Sequence, residues 1–313
     1  MLREVLDVLD FMTSPKASAA DFEKLLPAGA HRVKIDRLDT ERGSMEFVKI
    51  LFPGSRGKSS GGDLRTTGII GSLGALRVPG DKMGLVSDAD GCLVALAVAL
   101  RLARMASKGQ TLASDVIVST QICHDGRAEP HDPYPFVMSP ITSSLKHPRL
   151  VDAAMDGLVV VETCKSNKLV SHKGFAITHV AKEGYLLRLH SDMIHIMEMV
   201  TGRLPVIFPV SQQDLTPYES GIHHVCGMML GNLFTDAPVL GVPITTESQT
   251  WPAWTNVSHA TELDQAGRFC LEVATRFGLG ECEFFYENDY AGMKKLYGPI
   301  RPVVTSAKAD RAF

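Results

Sequence analysis

The strongest constraint on the fold is a long apolar run between two strand-like segments. Residues 91–106 are almost all Leu, Val, Ala or Met, and Arg101 and Arg104 come only near the end. A run of this length predicts a buried helix, and its late arginines meet the negative end of the helix dipole. Strand-like segments at 83–86 and 115–120 flank the run, which predicts a βαβ unit with parallel strands.

A polar turn follows each of the two predicted strands. The first turn holds Asp88 and Asp90 directly before the helix, and the second holds Cys123, His124 and Asp125. Parallel strands end at the same edge of a sheet, where open α/β sheets bind their ligands. Two interpretations of the acidic turn stay open: the aspartates cap the helix, or they belong to a ligand or metal site.

Composition limits the class of protein. The chain has 313 residues, of which 45% are hydrophobic and 21% are charged, with a net charge of −3. We expect one α/β domain over residues 1–304, with a small helical and strand extension at 1–53 and a mobile tail at 305–313. The charge does not favour nucleic acid or a membrane as a partner, and no secretion signal or membrane span is expected. Six cysteines without CxxC spacing are typical of reduced thiols in a cytoplasmic protein.

Other strand-like segments also end in polar residues. Residues 158–163 end with Glu162 and are followed by Lys165, while residues 238–247 end with Glu247. His259 precedes the last long helix, predicted over 263–277. The residues expected to contact a substrate are Asp90, His131, Lys165, Glu247 and Trp254.

Several local patterns give further predictions. Glycines at 68, 71 and 74 predict close backbone approach or tight turning. Residues 206–210 and 281–286 have strand-like composition, and residues 221–230 are predicted to be helical. The helix predicted over 191–200 ends at Gly202, and the last long helix is expected to stop at Gly278.

Three segments resemble the co-catalytic zinc aminopeptidase and carboxypeptidase superfamily. They are the acidic turn at 87–91, residues 235–243 (Thr-Asp-Ala-Pro-Val-Leu-Gly-Val-Pro) and the Ser258-His259 pair. The resemblance covers roughly residues 66–278 and implies a three-layer α/β sandwich with a mixed, largely parallel central sheet.

The same resemblance implies a set of site residues. Asp88 corresponds to the bridging metal ligand, Glu162 to the next carboxylate ligand and His259 to the final histidine ligand. His124 or Asp125 stands where the superfamily has its general base. The cofactor implied is a divalent metal, zinc first and manganese or cobalt as alternatives, with one or two ions, and the related enzymes commonly form homo-oligomers.

The chain also departs from that superfamily. A histidine ligand usually precedes the bridging aspartate in a His-x-Asp motif, whereas the only histidine before Asp88 is His31. An acidic Glu-Glu pair is replaced by Cys123, His124 and Asp125. Over most of its length, through residues 84–91, 173–177, 197–202 and 245–247, the sequence resembles the bacterial family catalogued as domain of unknown function 1177, a resemblance that implies no activity.

Three functional hypotheses follow. The first is an aminopeptidase-like, metal-dependent hydrolase of a peptide or other amide bond in a small molecule. The second is a metal-free enzyme that uses the Cys123 thiolate with His131 or a distant histidine, since neighbouring strand residues such as His124 point to the opposite face. The third is a non-catalytic binding or assembly protein on a peptidase scaffold, which the missing His-x-Asp motif favours.

Overall fold

The computed structural model describes residues 1–78, 82–130, 136–166, 170–208, 215–216, 225–248 and 257–300. The helices within these ranges are α1 (Leu2–Met12), α2 (Ala19–Leu25), α3 (Asp90–Ala106), α4 (Ser143–Leu150), α5 (Ser191–Thr201), α6 (Ala260–Leu279) and α7 (Glu287–Tyr297). The strands are β1 (Arg32–Thr40), β2 (Gly43–Phe52), β3 (Thr67–Ser72), β4 (Arg77–Val78), β5 (Lys82–Met83), β6 (Val116–Cys123), β7 (Arg127–Glu129), β8 (Phe136–Met138), β9 (Gly157–Thr163), β10 (Gly174–Phe175), β11 (Val180–Lys182), β12 (Tyr185–Leu187), β13 (Leu215–Thr216), β14 (Val225–Cys226) and β15 (Val239–Thr245).

One mixed sheet organises the molecule. Nine of the described strands form it in the order β1-β2-β6-β3-β9-β15-β11-β12, with β10 pairing with β15 beside β11. The central strands β6, β3, β9 and β15 are parallel, and antiparallel strands flank them on both sides. The predicted α/β class with a mixed, largely parallel central sheet is therefore confirmed.

Helices cover the two faces of the sheet and make the outer layers. On one face α1, α3, α5 and α6 enclose the larger core. On the other face α4 and a 3-10 segment, Gly227–Leu233, pack over β2, β6, β9 and β15. The central strands are buried on both faces, which explains the nearly continuous apolar sequences of β9 and β15.

Helix α3 lies directly against the backbone of the central strands. A Cβ atom at Gly91 would lie 2.0 Å from the Ser72 carbonyl oxygen and 2.2 Å from that of Val161. A Cβ atom at Gly71 would lie 2.3 Å from the carbonyl oxygen of Gly91. Close backbone approach, one of the two roles predicted for Gly71, is confirmed, and it fixes the start of α3 at the carboxyl ends of β3 and β9.

The predicted βαβ unit exists, but its first strand was assigned wrongly. The strand parallel to β6 is β3, whereas residues 84–86 are not a strand, and among the described strands β5 pairs with β4. Gly68 and Gly71 interrupt the apolar pattern of β3. Close packing against neighbouring groups, and not a turn, requires glycine at these two positions. The helix nevertheless starts at the carboxyl edge of the sheet, as the sequence predicts.

The segment predicted as an extension is built into the fold. Strands β1 and β2 continue the main sheet beside β6. Helix α1 packs against α3 and α6 through Val5, Val8 and Met12, and Arg104 of α3 pairs with Glu4 at 3.1 Å. The tail predicted at 305–313 lies outside the described residues.

Three smaller predictions are wrong and one boundary moves. In the described part of 206–210, residues 206–208, only an isolated bridge from Ile207 to Ile177 forms, and in 281–286 only one from Phe285 to Leu189, so these described residues are not strands. The described part of 221–230 holds β14 and a 3-10 segment instead of a helix. Helix α6 continues through Gly278, which lies against Ser114, and ends at Leu279, with Gly280 as its C-cap at a positive φ of 75°. Among the described helices, none is long and apolar enough to cross a membrane.

Candidate functional site

Polar side chains form a row across the carboxyl edge of the parallel strands. Ser72 of β3 is in register with Glu162 of β9, and Gly71 is in register with Thr120, so that Ser72 lies beside Gln121 of β6. Side chains alternate along a strand, and Gln121, Ser72 and Glu162 therefore share the face covered by α4. The Gln121 Nε2 donates to Ser72 Oγ at 3.4 Å, so the amide leans toward β9.

Asp88 lies next to this row on the 3-10 turn Ser87–Ala89. The Thr163 hydroxyl donates to the Ser87 carbonyl oxygen at 3.0 Å, which joins the turn to β9. Asp88 is partly exposed, and its carboxylate is close enough to Glu162 for the two charges to repel. Burial, followed by repulsion from Glu162 and Asp90, raises the pKa of Asp88 well above its ordinary value, while Lys165 and Lys146 act in the opposite direction.

Asp90 has a different environment although it is only two residues away. Its carboxylate is fully buried and lies 2.6 Å from Nζ of Lys165, whose side chain is 3% exposed. The Ser258 hydroxyl donates to the second carboxylate oxygen. Burial raises the pKa of Asp90, and the ion pair with Lys165 opposes that shift. The helix has no side-chain cap, so the capping interpretation of these aspartates is wrong.

His259 is exposed at the start of α6, directly after Ser258, whose hydroxyl donates to Asp90. Within the described ranges, no three His, Cys, Asp or Glu side chains are grouped so that they could hold a metal ion. The Asp88 and Glu162 carboxylates are close enough for their charges to repel, but they do not form a three-ligand group with His259.

His124 and Asp125, the residues predicted as general base, have partners in the scaffold. The His124 Nε2 is 2.9 Å from the Ala17 carbonyl oxygen, which holds the segment before α2. The Asp125 carboxylate accepts from the Ser44 backbone N–H at 2.8 Å and from its hydroxyl at 3.2 Å, at the β1–β2 turn. Both side chains thus contact the flanking segments of the sheet.

Cys123 does not have the environment of a thiolate nucleophile. It is fully buried, and burial, with a further contribution from the Asp125 and Asp88 charges, raises its pKa to about 12. A reactive cysteine needs an exposed sulfur with a lowered pKa. This environment argues against the metal-free cysteine enzyme.

The remaining predicted substrate residues are spread more widely. Glu247 is exposed just after β15, and its carbonyl oxygen accepts from the Ser171 and Ser166 hydroxyls. His131 and Trp254 lie outside the described residues. Ser72, Gln121 and Lys146 are not among the site residues predicted from the sequence; the signal available was the polar run Ser119-Thr120-Gln121 inside a buried strand.

Comparison with known families decides the membership of the chain. The model of a family described as "Protein of unknown function (DUF1177)" matches residues 36–307. The chain belongs to the DUF1177 family. A search of curated proteins finds no match to this DUF1177 chain.

A solved structure shows where the same fold occurs. The cytosol aminopeptidase from Coxiella burnetii superposes with a TM-score of 0.50 at 11% sequence identity. The match covers 86% of this DUF1177 chain and 68% of the aminopeptidase chain. At this identity the similarity concerns the fold, and it agrees with the distant peptidase-like scaffold inferred from the sequence.

Proposed function

We propose that this protein is a divalent-metal-dependent hydrolase that cleaves a peptide or other amide bond in a small molecule. The observation that carries the proposal is the pair of neighbouring carboxylates, Asp88 and Glu162, at the carboxyl edge of the parallel strands. Enzymes with open α/β sheets bind their ligands at this edge. The fold shared with a cytosol aminopeptidase supports amide-bond chemistry by analogy.

The residues present fit a divalent cation. Two carboxylates that repel each other gain from a positive charge between them, and carboxylate oxygens are ordinary ligands of such ions. Asp88 and Glu162 would hold the ion, whereas the Asp90 carboxylate lies against Lys165 and Ser258. A bound cation would polarise the amide carbonyl and lower the pKa of a bound water molecule.

The other groups of the cluster have roles that follow from their positions. The Asp90–Lys165 pair, together with Ser258, fixes the start of α3 against the segments that follow β9 and precede α6. His259 is exposed beside Asp90, and an imidazole there can give a proton to the leaving amine or take one from water. The exposed Glu247 and the cation Lys146 remain candidates for orienting the substrate.

Metal binding is the first test. The full chain, stripped with chelator, is titrated separately with zinc, manganese, cobalt and magnesium by isothermal calorimetry. We expect at least one of these ions to bind, and Asp88→Asn and Glu162→Gln to weaken its binding at least tenfold. Asp125→Asn is the matched control, because that carboxylate contacts Ser44 at the β1–β2 turn. No binding, or equal loss in all three variants, would overturn the metal site.

Hydrolysis is the second test. The loaded protein is assayed against aminoacyl anilides, dipeptides and N-acyl amino acids, with release of the amine as the readout. Turnover that disappears in Asp88→Asn and His259→Ala supports the proposal. A chain that binds metal but hydrolyses none of these amide classes is not the proposed hydrolase.

The second candidate is a non-catalytic binding or assembly protein on the same scaffold. It is favoured by the absence of a three-ligand His, Cys, Asp or Glu group from the described ranges. We also propose a homo-oligomer, tested by light scattering, and a cytoplasmic location. Five described cysteines form no disulfide with one another, which fits a reducing compartment.

A further inference from the structure

One edge of the main sheet is long and open. Strand β1 ends the sheet on one side with nine residues, whereas β12 ends it on the other side with three. In the described part of the chain, β1 pairs with β2 and with no other strand. Ile35, near the middle of β1, is 38% exposed. A long open edge strand is a template for pairing with another chain.

Alternate backbone groups of β1 point to this open side. Asp39 is in register with Ser44, whose backbone N–H donates to Asp125 at 2.8 Å and therefore points away from β1. Residues along an antiparallel pair alternate between those that exchange ladder hydrogen bonds and those that do not. The odd-numbered residues 33–39 of β1 therefore direct their N–H and C=O groups away from β2. Ile35 belongs to this set and can exchange both hydrogen bonds with a further strand.

The side-chain charges of β1 select one register for pairing with a second copy. A two-fold axis perpendicular to the sheet keeps each side chain on its own face, so that one residue of β1 lies opposite itself. An axis at Lys34, Asp36 or Arg37 places two identical charges directly opposite each other, which destabilises a strand pair. An axis at Ile35 instead places Lys34 opposite Asp36 of the second copy, and it does so twice.

Both charged side chains are available for this contact. Lys34 is exposed, and it has no ion-pair partner within 4 Å among the described residues. Asp36 accepts from Arg149 at 2.8 Å through one carboxylate oxygen, and its side chain remains 45% exposed. A lysine on an open edge discourages pairing with unrelated strands. The same strand in this one register supplies the opposite charge, which favours a second copy as the partner.

We infer that β1 is a dimer interface, in which two copies pair antiparallel about a two-fold axis at Ile35. The inference rests on the homo-oligomer proposed above and names its contact. The exposed Ile35 side chain packs against its equivalent, and two pairs of Lys34 and Asp36 flank it. Strands β2 and β6 separate this interface from β3 and β9, so the candidate metal site stays uncovered.

The first test measures dimerisation of the full chain by sedimentation velocity. Lys34→Glu places a carboxylate opposite Asp36 at both ends of the contact, and we expect the dissociation constant of the dimer to rise at least tenfold. Lys24→Glu is the matched control, because Lys24 is exposed on α2 and pairs with Asp21 at 2.7 Å. It should change the dissociation constant less than twofold. Far-ultraviolet circular dichroism checks the fold of each variant.

The second test measures the register directly. In the proposed pairing the two copies of residue 35 exchange hydrogen bonds, with Cα atoms about 5.5 Å apart, which is within the range of a disulfide. Ile35→Cys should therefore form a covalent dimer when the folded chain is oxidised with copper phenanthroline. The two copies of residue 37 are about 13 Å apart in this register, so Arg37→Cys is the control and should stay unlinked. Non-reducing electrophoresis separates the products.

The outcomes separate this interface from the proposals on which it rests. If the unchanged protein is a monomer at all concentrations, both the proposed homo-oligomer and the interface are overturned. If it is an oligomer that Lys34→Glu and Lys24→Glu affect equally, and Ile35→Cys does not cross-link, the oligomer stands and the interface is wrong. Cross-linking of Arg37→Cys in preference to Ile35→Cys would overturn the register. Metal binding is measured separately, and Lys34→Glu should leave it unchanged within twofold.

Discussion

Asp88 and Asp90 are two residues apart, yet their carboxylates have opposite electrostatic environments. Asp90 is fully buried and has a cation, Lys165, and a hydroxyl, Ser258, on its two oxygens. Asp88 is partly exposed, and burial followed by repulsion from the Glu162 carboxylate raises its pKa. One aspartate is neutralised from within the chain, and the other is placed where a cation from solution could neutralise it.

The two environments have different energetic consequences. A buried ion pair that is complete mainly fixes geometry, and breaking it is costly. Two carboxylates close enough to repel each other lower stability, and such pairs occur often at binding and catalytic sites.

The largest effect is expected when Lys165 is changed to Met. The substitution leaves the Asp90 carboxylate buried without its cation, and removal of one partner of a buried pair costs about 3–5 kcal/mol. Urea unfolding followed by circular dichroism measures the loss. Lys173→Met is the control, because the exposed Lys173 lies 3.7 Å from Glu262 and should lose less than about 1 kcal/mol. Equal losses in the two variants would contradict the structural role of Lys165.

The next effect concerns Ser258. Its hydroxyl donates to the charged Asp90, and Ser258→Ala should cost about 1.5 kcal/mol in the free energy of unfolding. Ser171→Ala, which removes an exposed hydroxyl bonded to the Glu247 carbonyl oxygen, should cost less. The same urea titration measures the loss in free energy of unfolding for both variants. Equal losses would show that the hydrogen bond to Asp90 contributes no more than an exposed one.

Asp88→Asn should have the opposite sign. Without divalent cations it removes repulsion with Glu162, and we expect stabilisation of roughly 0.5–2 kcal/mol near neutral pH, the range of ordinary stabilising substitutions. Because the folded pKa of Asp88 is raised, the unchanged protein loses stability as the pH rises from the ordinary aspartate value to the raised one. The gain in Asp88→Asn should therefore vanish at acid pH, below the ordinary value.

Thermal unfolding in chelator across this pH range measures the effect. Asp90→Asn is the comparison variant: it weakens the pair with the buried Lys165 and should lower the unfolding temperature at neutral pH. If both asparagine variants shift the unfolding temperature in the same direction, the contrast between the two aspartates is wrong.

The smallest effect is expected at Cys123, where alkylation should be nearly absent. Burial raises the pKa of its thiol to about 12, so iodoacetamide at pH 8 should not label it in the folded chain. Mass spectrometry of the peptide after native and denatured labelling makes the measurement, with the partly exposed Cys164 as internal control. Rapid labelling of Cys123 in the folded chain would contradict its buried environment and would support the cysteine-enzyme hypothesis.

The sequence predicts which edge of the sheet carries the polar residues, but it does not predict the contacts that they make. The apolar run of α3 and the strand β9 were predictable because burial on all sides leaves continuous apolar stretches, and the apolar start of β6 was enough to predict that strand. Strand β3 was missed because Gly68 and Gly71, which its packing requires, weaken the strand pattern. The pairing of Lys165 with Asp90 could not be predicted, since it depends on which acid a loop after β9 reaches. The orientation of Gln121 likewise depends on cross-strand register.

Helix α1 and the first strands have a practical consequence for anyone who trims the chain. The family match begins at residue 36, inside β1, yet Val5, Val8 and Met12 cover the outer side of α3. A fragment cut to residues 36–307 would expose that apolar surface of α3 to solvent. It would also leave β2 paired with only part of β1. Sequence similarity therefore marks the stretch that relatives share, while the unit able to fold alone starts earlier.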